Sequence, residues 1–242
     1  MLSCLNCNAS LSSTARFCAQ CGQKAQTRRL TLHDFGHELW HALTHTDHSA
    51  LSLVKALLTR PGQVAREYVQ GARKRYFNPF TFMVVCIGLN VLLVVATGIG
   101  GFANQPGKVG QALQNHTNWV FLAQVPVLAL WQRLLQGGGL NLSEHLVLAA
   151  YSSGMRSLYY VLVIVPTALV QTLLNWGLPY WPQVIFHIVV WVIYYGWANA
   201  QFQNQTQRRW VSAALGMLAA LLTQATSFAL IWIAFWAEGS AR

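Results

Sequence analysis

Residues 73–99 read RKRYFNPFTFMVVCIGLNVLLVVATGI. Three cations and an aromatic pair lead into an Asn-Pro step, and no charge follows. A helix needs about 20 predominantly apolar residues to cross the hydrocarbon core of a bilayer. Proline suits the first helical position. The stretch Phe80–Ile99 therefore predicts a first membrane span, with its cationic flank at the membrane surface.

Four more apolar stretches follow: Trp119–Leu135, Leu146–Leu174, Val184–Ala200 and Trp210–Trp236. The third holds Gly154, Arg156 and Pro166, so a kink or a partly interfacial course is expected there. Composition agrees with this reading. Charged residues make up 9% of the 242 residues, against about 25% in soluble domains. Hydrophobic residues reach 54%, which excludes intrinsic disorder. The expected fold is an all-α membrane protein of about five transmembrane helices with a small N-terminal zinc ribbon. Its parts are a ribbon over 1–23, cytoplasmic or interfacial amphipathic helices with a basic elbow over 24–79, and the transmembrane domain over 80–242.

Charge placement sets the orientation. Residues 1–79 hold ten of the 16 basic residues and four of the six acids. Arg73–Arg75, Arg133, Arg208 and Arg209 fall on one side if five helices alternate; Lys108 and Arg242 fall on the other. Positive loops stay in the cytoplasm. The N-terminus is thus expected in the cytoplasm and the C-terminus outside. The opening residues lack a basic region followed by an apolar one, so no cleaved signal peptide is expected.

Cys4-x2-Cys7 and Cys18-x2-Cys21 supply two thiolate pairs. Four sulfurs form the tetrahedral set that Zn²⁺ favours, and a full set leaves no open position for catalysis. One structural zinc per chain is expected. Disulfides conflict with a reducing cytoplasm. Asn8 and Gly22 suit the left-handed turns such knuckles need. Phe17 is expected to be nearly the whole core of the unit. Cys86, within the first span, reads as a small apolar residue.

His33, His37, His41 and His45 recur at every fourth residue and would line one helical face. Within this stripe His37-Glu38-x-x-His41 matches the two-ligand, one-base pattern of zinc metallopeptidases. A third ligand is required, and Asp47, Glu67 and Glu144 all lack a diagnostic spacing. The simpler reading is an interfacial helix presenting Leu32, Phe35, Leu39, Trp40 and Leu43 to lipid.

The elbow, Leu58 to Phe80, carries Arg60, Arg66, Tyr68, Arg73, Lys74, Arg75 and Tyr76. These are the candidate residues for an anionic lipid headgroup or a partner's acidic surface. Nucleic acid is not expected, because the cations crowd the membrane side. Glu144, His145 and Arg156 are the candidate intramembrane polar groups. The expected position of Arg156 is the cytoplasmic interface, if the third span begins late. Ser152, Ser153, Ser157, Gln171, Thr223, Gln224 and Thr226 offer interhelical hydrogen bonds.

The order Cys-x2-Cys, Phe-Cys-x2-Cys-Gly-Gln, Arg-Pro-Gly, Glu-Tyr-x-x-Gly-x-Arg-x-x-Tyr-x-x-Pro resembles an uncharacterised bacterial membrane family, domain of unknown function 3667. The positions that carry it are Cys4, Cys7, Cys18, Cys21, Gly22, Gln23, Asp47, Arg60, Pro61, Gly62, Glu67, Tyr68, Gly71, Arg73, Tyr76 and Pro79. Glu144-His145 also resembles the family, while Asn8 stands where it has Gly. The resemblance implies a zinc ribbon joined to a helical membrane domain in the bacterial inner membrane, and brings no activity. The expected function is a non-enzymatic module that recruits a partner or binds lipid headgroups. The alternatives are a transporter or lipid-handling protein and, more distantly, a peptidase using His37, Glu38 and His41.

Overall fold

Proline and glycine punctuate the head of the chain and set its elements. A computed structural model describes residues 2–26, 29–31, 50–97, 108–137, 139–174, 180–203 and 209–240. Strands β1 (Leu2–Ser3) and β2 (Ser10–Leu11) pair antiparallel, Leu2 opposite Leu11 and Ser3 opposite Ser10. Helix α1 (Ala50–Thr59) ends at Arg60, whose backbone leaves the helical region with φ −150° and ψ 54°. A proline sterically drives the residue before it out of helical geometry. Pro61 then opens α2 (Pro61–Val69). Gly71 turns the chain at φ 114°. Asn78 starts α3 (Pro79–Thr97), its side-chain oxygen accepting the N–H groups of Phe80 and Thr81 at 2.9 and 3.3 Å. Such a cap satisfies donors that no helical carbonyl can reach.

Four further helical runs follow: α4 (Lys108–Gln136), α5 (Leu142–Tyr159), α7 (Tyr180–Phe202) and α8 (Arg209–Ser240). The third apolar stretch is continuous from α5 through one π-helical turn (Tyr160–Ile164) into α6 (Val165–Leu173). The irregularity expected around Pro166 takes the form of that wide turn, just before the residue that lacks an N–H. Among the described residues, Leu142–Gln171 and Arg209–Ile233 are long and apolar enough to cross a membrane, and Pro79–Leu93 is a shorter apolar helix.

Helix α3 packs on α5, α5 on α4, α4 on α8 and α8 on α7; α2 lies against both α5 and α7. Close approach decides the α7–α8 seam. A Cβ at Gly196 would sit 2.4 Å from Met217 Cγ and 2.9 Å from the Ala213 carbonyl. One at Gly216 would meet Asn199 Cβ at 2.6 Å. Small residues let membrane helices approach in this way. The same seam is stitched by polar groups. Tyr195 Oη donates to Gln132 Oε1 (2.5 Å), Gln132 Nε2 to Asn199 Oδ1 (2.7 Å), and Asn199 Nδ2 to the Ser212 carbonyl (2.6 Å). Tyr195, Gln132 and Asn199 are fully buried.

One expectation is corrected here. Thr223 and Thr226 do not bond across helices; they donate to Ala219 and Thr223 carbonyls of α8 itself. The polar stitching comes instead from α4 and α7. The outer surface is the reverse of the interior: Leu134, Leu162, Leu173, Ile193, Trp232 and Ile233 are all more than half exposed.

Gly196→Val should splay α7 from α8. The expected result is a lower thermal midpoint in detergent, corresponding to about 1–3 kcal/mol of overpacking, read by size-exclusion chromatography after a heat challenge.

Candidate metal centre and the basic elbow

Two knuckles of the same design bring the four cysteines together. In each, the amide four residues on bonds the carbonyl of the first cysteine: Asn8 to Cys4 and Gly22 to Cys18, both at 2.9 Å. In each, the first cysteine's amide bonds a carbonyl five residues on: Cys4 to Ala9 at 2.8 Å and Cys18 to Gln23 at 2.7 Å. Asn8 (φ 61°) and Gly22 (φ 68°) are both left-handed, as the sequence suggested. All four sulfurs lie within 4.8 Å of one another, and Cys4–Cys21 and Cys7–Cys18 are each 3.6 Å apart. A disulfide would need about 2.05 Å. A tetrahedral ion with sulfur ligands at about 2.3 Å spaces them about 3.8 Å apart. The geometry fits a four-thiolate metal site.

The titration behaviour agrees. The Gln23 amide, with Asn6 and the neighbouring thiols, lowers the Cys21 thiol to about 6 against desolvation. At Cys7 the Ala9 amide lowers the pKa, but desolvation and the other three sulfurs push it up to about 12. Crowded thiols resist ionising together, and a bound cation removes that conflict. Phe17 is not the core of this unit. It is 57% exposed and forms an isolated bridge to Lys24. The sulfurs themselves take the core's place, with Cys4 and Cys18 buried.

Gln23 fastens the knuckles to the elbow. Gln23 is buried; its Nε2 donates to the Gly71 carbonyl, and its Oε1 accepts the Lys74 amide at 3.1 Å. A second tie runs from Arg29 to α5. The guanidinium grips Glu144 with Nε–Oε1 at 2.7 Å and a second nitrogen on Oε2 at 2.8 Å, and it also meets the Gly139 carbonyl at 2.5 Å. This pairing raises the Arg29 pKa further. Glu144 simultaneously accepts the Asn141 amide (2.8 Å) while Asn141 Oδ1 accepts the Glu144 amide (2.8 Å), a capping box. Asn141 Nδ2 reaches back to the Leu30 carbonyl at 3.0 Å. Arg29 and Asn141 were not singled out from the sequence. The Asn-x-x-Glu spacing at 141–144 was the available signal for the cap; nothing local marks Arg29.

The elbow residues divide. Arg66 donates to the Phe202 carbonyl (2.9 Å from Nε) and to that of Gln201, closing the C-terminal end of α7. Burial, then Arg209, lowers its pKa. Tyr68 is buried, edge-on to Tyr151 at 6.0 Å. Tyr76 is buried and donates to Glu67 Oε2 at 2.5 Å; burial, then this carboxylate, raises it to about 12. Arg60 and Arg75 reach Glu67 at 3.5 and 3.4 Å. Arg73 is half-buried, and Lys74 and Arg75 are exposed. Gly62 meets α7 so closely that a Cβ would lie 1.9 Å from the Ala198 carbonyl.

Residues 54–90 match the family described as protein of unknown function (DUF3667). The DUF3667 segment runs from α1 through the elbow into α3, so it contains Gly62, Glu67, Tyr68, Gly71 and Tyr76 but not the cysteines. No curated protein and no solved structure matches. The matched residues include Gly71 and Lys74, which take the Gln23 tie, and Gly62 and Arg66, which meet α7; the Arg29–Glu144 tie lies outside them.

The remaining candidates are placed as follows. His145 is fully buried, against the Phe202 ring at 6.3 Å. Arg156 is half-buried and packs toward α7 and α8, its guanidinium 4.8 Å above the Trp191 ring and 3.4 Å from Gln224 Oε1. Glu144 and Arg156 are not brought together. His33, His37, Glu38, His41, His45 and Asp47 lie outside the described residues. Glu67 and Glu144, offered as third ligands, are occupied by Tyr76, Arg60 and Arg75 and by Arg29.

Gly62→Ala should detach α2 from α7, because the obstacle is a backbone carbonyl. A drop in thermal midpoint with full retention of the metal is the expected outcome; a wild-type midpoint would show that the contact is dispensable.

Proposed function

We propose that this chain is a five-span inner-membrane protein whose cytoplasmic zinc ribbon holds a basic elbow against anionic lipid headgroups. The observation that carries the reading is the Gln23 tie. It joins the second knuckle to the backbone of Gly71 and Lys74, and leaves the side chains of Lys74 and Arg75 exposed. Those cations stand four and five residues ahead of α3, where an inner leaflet's surface would lie. Residues 60–79 hold five cations and one carboxylate.

Three features support the membrane part. The exterior is apolar while amides and a carboxylate are buried, the reverse of a soluble protein. The elbow meets the end of α7, and Arg29 meets the start of α5. The last turn of α4, with Arg133, and the first residue of α8, Arg209, therefore share one end with the elbow, as positive-inside topology requires. The five apolar stretches coincide with five long helical runs.

Zinc is the ion we assign to the four thiolates, from the cytoplasmic setting and the all-sulfur set. With every ligand position filled, its role is structural. A unit this small has too little core to fold alone, so metal binding supplies its folding free energy. The elbow would then keep its shape only while the ion is bound.

Three outcomes are expected. Metal analysis should give one zinc per chain; two would revive the His37-Glu38-x-x-His41 peptidase reading. Hydrogen exchange at 71–75 should rise when zinc is removed from wild type, and Gln23→Ala should show the same rise with zinc still bound. Exchange unchanged by chelation would break the link between ion and elbow. Lys74→Gln with Arg75→Gln should weaken anionic-lipid adducts, counted by native mass spectrometry, by about tenfold or more at about 1 kcal/mol per cation. Equal adduct counts would remove the headgroup role.

A further inference from the structure

A second polar site, separate from the elbow, lies where α5, α7 and α8 meet. Arg156 (α5) and Trp191 (α7) stack at 4.8 Å, with Gln224 of α8 at the edge of the guanidinium. Ser152 lies one turn before Arg156 on the same helical face. Helical side chains lean toward the N-terminus, so the two side chains share one patch. His187 lies one turn before Trp191, packed between the rings of Tyr159 (5.8 Å) and Tyr160 (6.5 Å).

Two donors here lack a use. The Trp191 Nε1–H and the Ser152 hydroxyl make no hydrogen bond among the described residues. Trp191 is 5% exposed and Ser152 1%. A buried donor without a partner costs about 1–3 kcal/mol, so such groups call for an acceptor. His187 Nδ1 is also unsatisfied among the described residues. The chemistry is one-sided: guanidinium and indole N–H groups only donate. A cation inside an apolar bundle adds attraction for negative charge. The π-helical turn at Tyr160–Ile164 begins where Tyr159 and Tyr160 meet His187. Such turns recur at functional sites.

We propose that Ser152, Arg156 and Trp191, with His187 and Gln224 beside them, form a binding site for a phosphate-class oxyanion within the helix bundle. The oxyanion accepts from the indole, the hydroxyl and the guanidinium at once. It arrives either as the headgroup of a lipid or as a free ion. The site shares no residue with the elbow and does not rest on the headgroup role given to Lys74 and Arg75.

The test uses full-length protein in neutral detergent, with phosphatidic acid, phosphatidylcholine or inorganic phosphate as probe, and native mass spectrometry or calorimetry as readout. Wild type should hold one phosphatidic acid or one phosphate in preference to phosphatidylcholine. Retention of the lipid identifies a headgroup; saturable binding of inorganic phosphate alone identifies the free ion. Arg156→Gln should weaken binding about tenfold or more, the loss of one charge-assisted donor. Trp191→Phe keeps the ring and removes the N–H, so a severalfold loss with unchanged helicity is expected. If Arg156→Gln does not fold, Trp191→Phe and Ser152→Ala decide. Loss of binding in Lys74→Gln/Arg75→Gln with none in Arg156→Gln or Trp191→Phe would overturn the inference and leave the elbow reading standing. Absence of saturable binding of either phosphate probe to wild type would overturn it outright.

Discussion

Helix ends are the constraint from which the head of this protein is built. Each end leaves backbone groups that the helix itself cannot pair. Here the partners come from distant parts of the chain. Arg66 of α2 takes carbonyls at the end of α7. Asn141 and Glu144 cap α5 and at the same time hold Arg29 and the Leu30 carbonyl. Gln23 pairs the amide and carbonyl of the turn between α2 and α3. A single set of bonds therefore finishes the helices and assembles the head upon them. Remove the ties and the knuckles would be a separate body on a tether.

Charge within this assembly is distributed by the same means. Glu67 is shared by Arg60, Arg75 and the Tyr76 hydroxyl. Glu144 takes Arg29 in two-pronged fashion. The two carboxylates hold Arg29, Arg60 and Arg75, while Lys74 and about half of the Arg75 side chain remain toward solvent. Exposed pairs such as Arg75–Glu67 stabilise little, so their contribution is to position rather than to energy. Tyr76, with its proton held by burial and by Glu67, is the fixed point of that cluster.

Local features were legible in the sequence; distant pairings were not. The Cys-x2-Cys spacing and the Asn8 and Gly22 turns depend on a handful of consecutive residues, and they appear as read. The helix break at Arg60-Pro61 is likewise a local steric matter. The apolar stretches mark the helices, although α4 and α8 extend beyond the apolar part because polar residues also continue a helix. Tyr68 and Tyr76 look like surface residues among cations, yet both are buried; Tyr68 packs edge-on against Tyr151 of α5, some eighty residues away, and Tyr76 bonds Glu67. Phe17 was read as core because small units usually need one; here four sulfurs occupy that place. The start of the helix that carries Arg156 was uncertain from the sequence; the capping box at Asn141 sets it, about four turns before Arg156.

The order in which the helices pack differs from their order in the chain. Helix α4 lies between α5 and α8, and among the described residues its Gln132 is satisfied by Tyr195 and Asn199, 63 and 67 residues later. During synthesis α4 is therefore complete before either of those partners exists. The fold can close around that amide only after α7 has been made, so the last part of the chain decides whether the middle of it is finished.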